Sequence, residues 1–207
     1  MQNSTLFRRA AALLLTAALT LTLVLPGLAA YEMPIQTVNE GESVYLFNAD
    51  IDKPILEQNA DQQRYIASLT KMMTALLVLE SGTDLNASIT IPASLTPELQ
   101  SIRANRGHTI GLQAGETVRR IDMMYAMLLP SANDAASVLA VDTSGSLAAF
   151  AAQMNVRASQ LGCTATHFTC PHGLYDGGNY STARDMAKIA AAAFANKTCL
   201  LYTSPSP

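Results

Sequence analysis

Ser68-Leu69-Thr70-Lys71-Met72-Met73-Thr74-Ala75-Leu76-Leu77-Val78-Leu79 is the stretch on which the reading of this chain turns. From Met72 onward it is almost wholly apolar, which describes a helix with no wet face. Ser68 and Lys71 stand three apart, so on a helix the lysine amine reaches the serine hydroxyl. A lysine held in dry surroundings loses affinity for its proton and can sit neutral, ready to accept one. That is the arrangement of a serine nucleophile with a lysine base. The bare spacing also describes an N-cap followed by a solvated lysine. Two features count against that reading. Lysine in a first turn opposes the helix dipole, and a second cluster, Ser131-Ala132-Asn133, follows Pro130 and opens another apolar helix.

Toward the N-terminus, Met1 to Ala30 reads as a secretory signal. Arg8 and Arg9 form the charged start, Ala10 to Leu25 the apolar run, and Pro26-Gly27 the break, with cleavage after Ala29 or Ala30. The rival is a retained anchor, which needs about 20 apolar residues, and this run is shorter. An exported protein on the cell-wall or periplasmic side is therefore expected. At the other end, Cys199 to Pro207 resembles translated sequencing adapter more than a natural Ser/Pro tail, and it follows a helical pattern still running at Phe194.

Composition narrows the function classes. A net charge of −3 and the lack of a basic run exclude nucleic acid as an expected partner. Cys163 and Cys170 are too few for a disulfide scaffold. They could bridge a short loop or stand as two free, partly buried thiols, and the second reading is favoured. His167 and His172 lack a ligand spacing, so neither metal nor cofactor is expected. His172, between Pro171 and Gly173, reads as structural. Asp134 reads as a helix cap, and Gly173, Gly177 and Gly178 as an ordinary flexible loop.

Along the chain, Ser43–Phe47 and Pro54–Glu57 flank the turn-rich Asn48-Ala49-Asp50 and predict two antiparallel strands. A helix is predicted from Ser68 to Glu80, a short strand at Ile89–Ile91, and excursion and turn over the polar Thr96–His108. Val118 to Leu129 has helical spacing, and Met123, Met124 and Tyr125 read as core. Asn133–Val141 predicts a buried helix. Ser146 caps a helix that ends at Leu161, before Gly162. Thr182-Ala183-Arg184-Asp185 looks like a capping box opening the last helix. The class is α/β in the α+β sense, with an antiparallel sheet, packed helices and an all-helical block.

These residues resemble those of the D-alanyl-D-alanine carboxypeptidases, low-molecular-mass penicillin-binding proteins of the serine β-lactamase-like superfamily. The matching stretches are Ile66–Ala75, Leu129–Ala136, Thr166–Phe168 with Pro171–Leu174, and Tyr180–Ala187, in the family's order. The resemblance implies a DD-peptidase fold for residues 31–198. It implies Ser68 as the nucleophile, Lys71 as its base, and Ser131 as a proton relay. Asn133 would bind the substrate's backbone amide and Lys71. The implied substrate is a peptidoglycan stem peptide ending in D-Ala-D-Ala, with β-lactams as covalent inhibitors.

A third motif of the family, Lys-Thr-Gly on an edge strand, is expected beyond the last genuine residue. This chain should then carry an incomplete sheet, one oxyanion donor too few, and no carboxypeptidase turnover of its own. A C-terminal membrane anchor would be missing with it. A class A β-lactamase would need a glutamate after the second motif, and the last glutamate is Glu116. A non-hydrolytic penicillin- or cell-wall-binding relative is the other alternative, but a binding module needs no buried lysine.

Overall fold

The computed structural model describes residues 39–197 except Asp52. The expected signal segment and the tail at 199–207 lie outside the described residues. Strands β1 (Val44–Asn48) and β2 (Lys53–Gln58) form the antiparallel hairpin predicted, with Tyr45 opposite Glu57 and a bulge between Leu46 and Phe47. Among the described residues they pair only with each other. One face stays in solvent, with Leu46 42% and Ile55 48% exposed. The hairpin is tied to the last helix by Arg184. Its guanidinium lies 4.6 Å over the Tyr45 ring and pairs with Glu57 and Asp61, each at 2.7 Å.

Helix α1 (Thr70–Glu80) follows directly from a tight 3₁₀ turn at Ala67–Leu69. Its buried residues include Lys71, Thr74 and Leu76, and it packs against four other helices. An apolar run without a wet face therefore became the central helix. The polar Thr96–His108 segment is not all turn, as the sequence predicts: Thr96–Ala104 forms helix α2. Pro97 fits its first turn, where the missing N–H costs nothing. Leu95, Leu99 and Ile102 recur at helical spacing and are all buried. Three apolar residues among many polar ones carried that signal, which is why the turn-forming composition outweighed it.

Strands β3 (Ser88–Thr90) and β4 (Thr117–Arg119) pair antiparallel, with Ile89 opposite Val118. Val118 is thus a strand residue, and helix α3 (Arg120–Leu128) starts two residues later than expected. The register with β3 consumes the backbone groups that an earlier helix start would need. Met123 and Met124 are core, but Tyr125 is 39% exposed, so it is not the core residue its neighbours are.

Helix α4 (Asn133–Ser144) is buried along its first eight residues and ends at Gly145, where φ is +78°. Helix α5 (Leu147–Gln160) is capped by Ser146, whose hydroxyl accepts the Ala149 N–H at 3.1 Å. Helix α6 (Ala183–Ala195) is capped by Thr182 accepting from the Asp185 N–H at 3.1 Å. The second half of that capping box does not form. The Asp185 carboxylate instead takes the Ala165 N–H and the Thr166 hydroxyl, each at 2.9 Å, and Lys188. It anchors the loop that leads toward His172.

Candidate active site

Ser68 lies in the 3₁₀ turn before α1, and Lys71 in the helix's first turn. The turn begins at Ala67 with φ +47°, a left-handed conformation that costs a non-glycine residue roughly 1–2 kcal/mol. Ser131 shares it, at φ +61°. Both serines thus sit at strained corners that turn their side chains away from the regular ladder, into a cleft of about 450 Å³ that they line together. Observed strain of this kind concentrates where the surrounding structure holds a residue for function.

The Lys71 amine is the centre of the arrangement. It lies 3.1 Å from the Ser68 hydroxyl oxygen, 2.7 Å from Asn133 Oδ1 and 2.8 Å from the His172 carbonyl oxygen. The residue is 3% exposed. None of the three partners is a carboxylate, so no anion compensates for the loss of water around an ammonium. Burial accordingly pulls the lysine's pKa down to about 8, with Cys170 acting weakly the other way.

The chemistry of these partners decides the direction of the bonds. Asn133 Oδ1 and a carbonyl oxygen can only accept. The protonated amine also donates its third N–H to the Ser68 oxygen; once neutral, it keeps both N–H groups on the two carbonyl acceptors and turns its lone pair to Ser68. Ser131 in turn donates its hydroxyl to Ser68 at 3.0 Å. Loss of the lysine's third proton would let the chain run from Ser131 through Ser68 to Lys71. All four residues singled out in the sequence meet at one point.

Other participants were given no role in the site by the sequence. His172 enters through its main-chain carbonyl, and the loop that carries it presses on the nucleophile turn. A Cβ on Gly173 would meet the Ala67 carbonyl oxygen at 1.9 Å, and Gly173 has φ +80°. The Gly173 carbonyl accepts from the Tyr65 hydroxyl at 2.5 Å. This glycine is a packing requirement, where the sequence suggests only a flexible loop. Gly107 likewise leaves room for Asn133, whose Nδ2 would lie 2.7 Å from a Cβ there. The Asn133 N–H is held by the His108 carbonyl at 2.8 Å.

Asp134 is a loop anchor more than a helix cap. Its carboxylate takes the N–H groups of Ile110, Gly111 and Leu112, at 3.0–3.3 Å, and the Thr109 hydroxyl. On the other side of Lys71, His172 Nε2 donates to Glu98 Oε1 at 2.9 Å while Nδ1 accepts the Leu174 N–H at 3.0 Å. Burial opposes charge on this ring, but Cys170 and Glu98 outweigh it and lift the pKa to about 9. Cys163 and Cys170 are both free thiols.

A family model described as D-alanyl-D-alanine carboxypeptidase matches residues 32–204. The chain is 36% identical over 161 residues to a D-alanyl-D-alanine carboxypeptidase of Streptomyces sp. (strain K15), covering 74% of this chain and 54% of that protein. It is 33% identical over 150 residues to a D-alanyl-D-alanine endopeptidase of Escherichia coli (strain K12), covering 72% and 46% respectively. The crystal structure of the Streptomyces K15 DD-transpeptidase superposes with a TM-score of 0.71 at 32% identity, over 80% of this chain and 64% of that one. The chain thus spans about half the length of the curated relatives it matches.

Proposed function

Because this chain belongs to the D-alanyl-D-alanine carboxypeptidase family, we propose that Ser68 is the nucleophile of a serine-type D-Ala-D-Ala carboxypeptidase. The observation that carries the reading is the buried Lys71 amine, held by the neutral acceptors Asn133 Oδ1 and the His172 carbonyl and lying 3.1 Å from the Ser68 hydroxyl oxygen. Lys71 takes the Ser68 proton as the oxygen attacks the carbonyl of the penultimate D-alanine. Ser131 relays that proton from Lys71 to the nitrogen of the departing D-alanine as the peptide bond breaks, which leaves the lysine neutral and the Ser131 hydroxyl intact. Water then cleaves the ester on Ser68 and restores the hydroxyl. Asn133, with Oδ1 committed to Lys71, has its amide N–H groups for a substrate carbonyl.

The substrate class is a peptidoglycan stem peptide ending in D-Ala-D-Ala, and a β-lactam would acylate Ser68 in the same way. Arg8, Arg9 and the apolar Ala10–Leu25 support export to where that substrate lies. The test is labelling with a fluorescent penicillin, followed by peptide mapping and an assay for released D-alanine. Label on Ser68, lost in Ser68→Ala, is the expected result. Label elsewhere, or full labelling of Ser68→Ala, would sink the assignment.

A further inference from the structure

Resting on that reading of Ser68 and Lys71, we infer that Glu98 is a positioning residue for Lys71. Two acceptors aim the lysine's lone pair at Ser68: Asn133 Oδ1 on α4 and the His172 carbonyl on the loop before α6. They come from separate elements, so something must hold those elements in register. Glu98 on α2 does so with one oxygen. Its Oε1 accepts from His172 Nε2 at 2.9 Å and from the Ser137 hydroxyl at 3.1 Å. Ser137 lies one helical turn after Asn133 on α4, on the same face.

The donors are 0% (Ser137) and 5% (His172) exposed. Buried donors of this kind need a partner, so the carboxylate is bound into the fold from both sides. Glu98 touches neither Ser68 nor Lys71. It acts through His172, whose ring it holds while the same residue's carbonyl grips the amine, and through α4. No motif that identifies the family includes it, and it lies in the segment whose composition reads as turn. A displacement of about 1 Å at a reacting group can cost on the order of 10²-fold in rate, so slack in either acceptor is expected to appear as slower acylation.

The test compares the full chain with Glu98→Gln, Glu98→Leu and Ser68→Ala. Three quantities are read: the limiting rate of acylation by a fluorescent penicillin, the saturation constant, and the side-chain NMR signal of Lys71 in lysine-labelled protein. Leucine keeps the volume and removes both bonds, leaving two buried donors unpaired at about 1–3 kcal/mol each, so circular dichroism first establishes that this variant is folded. Glutamine keeps an oxygen able to accept both. In Glu98→Leu the limiting rate should fall at least about tenfold, with the saturation constant little changed and the Lys71 signal displaced.

Glu98→Gln should recover most of the rate and leave the Lys71 signal nearer its original position. A folded Glu98→Leu protein acylating at the parent rate would overturn the inference, as would an unmoved Lys71 signal. A fall in Glu98→Gln as deep as in Glu98→Leu would overturn the positioning route in favour of charge. If the parent chain takes no label at Ser68, the acylation reading fails by itself. The Lys71 signal still judges Glu98, because it needs no turnover.

Discussion

Gly173 and Ala67 are in such close register that a single added methyl group would stand 1.9 Å from the Ala67 carbonyl oxygen. The two lie far apart in the chain, yet the residue after Ala67 is Ser68. The loop that supplies the His172 carbonyl is therefore pressed directly on the turn that presents the nucleophile. Gly173→Ala must strain a left-handed backbone and push back main chain at once, which a flexible side chain could not relieve. The expected outcome is a clearly lowered unfolding midpoint and loss of penicillin labelling. Gly177→Ala is the control, because nothing lies within 4 Å of a Cβ there. Circular dichroism melts and labelling rates that are alike for the two variants would refute the argument.

Acylation should depend on pH through Lys71. With its pKa drawn down to about 8 by burial, the amine is mostly protonated below that pH and mostly free above it. The second-order labelling rate is then expected to rise from pH 6, pass its midpoint near 8, and level off. Lys71→Arg keeps the positive charge but offers no base at any accessible pH. Its rate should fall by about 10²–10⁴, with no rise across the range. A wild-type profile flat from pH 6 to 10 is the result that removes lysine from the chemistry.

The two described cysteines should differ sharply in reactivity. Burial pushes the Cys163 thiol up to about 11, and that residue is 7% exposed. Burial also opposes ionisation of Cys170, but the His172 ring and the N–H groups of Gly173 and His172 more than offset it and lower its pKa. The Gly173 N–H approaches the sulfur at 3.3 Å. Since the thiolate is the reacting form, iodoacetamide at neutral pH should label Cys170 well before Cys163. Peptide mapping separates both from Cys199. Equal labelling rates would show that His172 does not tune the thiol.

Asp134 predicts a stability effect. The residue is 1% exposed, and its carboxylate satisfies three backbone N–H groups of one loop besides a hydroxyl. Asp134→Ala would leave the Leu112 N–H buried without a partner, at about 1–3 kcal/mol, while the exposed Ile110 and Gly111 N–H groups turn to water. A loss of about 1–3 kcal/mol is expected in urea unfolding. Asp134→Asn, which keeps one oxygen, should lose less. A change in Asp134→Ala within 0.5 kcal/mol, the range usual for plain surface positions, would mean that the loop finds water instead.

Much of the fold was legible because its signals are local. The cap at Ser146, the stop at Gly162 and the apolar run after Lys71 each act within a turn or two of chain, and each appears where expected. Helix α2 was missed because three buried apolar residues, Leu95, Leu99 and Ile102, were outvoted by polar neighbours whose propensity is for turns. The start of α3 was misplaced because β3, whose Ile89 pairs with Val118 across 29 residues of chain, claims the segment for a strand. Propensity cannot register a partner that distant.

The active constellation divides in the same way. Ser68 and Lys71 are three residues apart on a helical turn, so residue type and spacing alone brought hydroxyl and amine together. Ser131 and Asn133 were legible as a polar cluster opening an apolar helix. What they meet was decided by the tertiary structure. One acceptor of Lys71 is a main-chain carbonyl 101 residues away, and a carbonyl belongs to every residue, so no side-chain identity announces it. Gly173 and Glu98 are likewise ordinary residues whose importance lies in a 1.9 Å gap and a shared oxygen. Such relations exist only once separate elements are packed. Burial, too, is a property of the assembled chain, and it is burial that turns an ordinary lysine into a base.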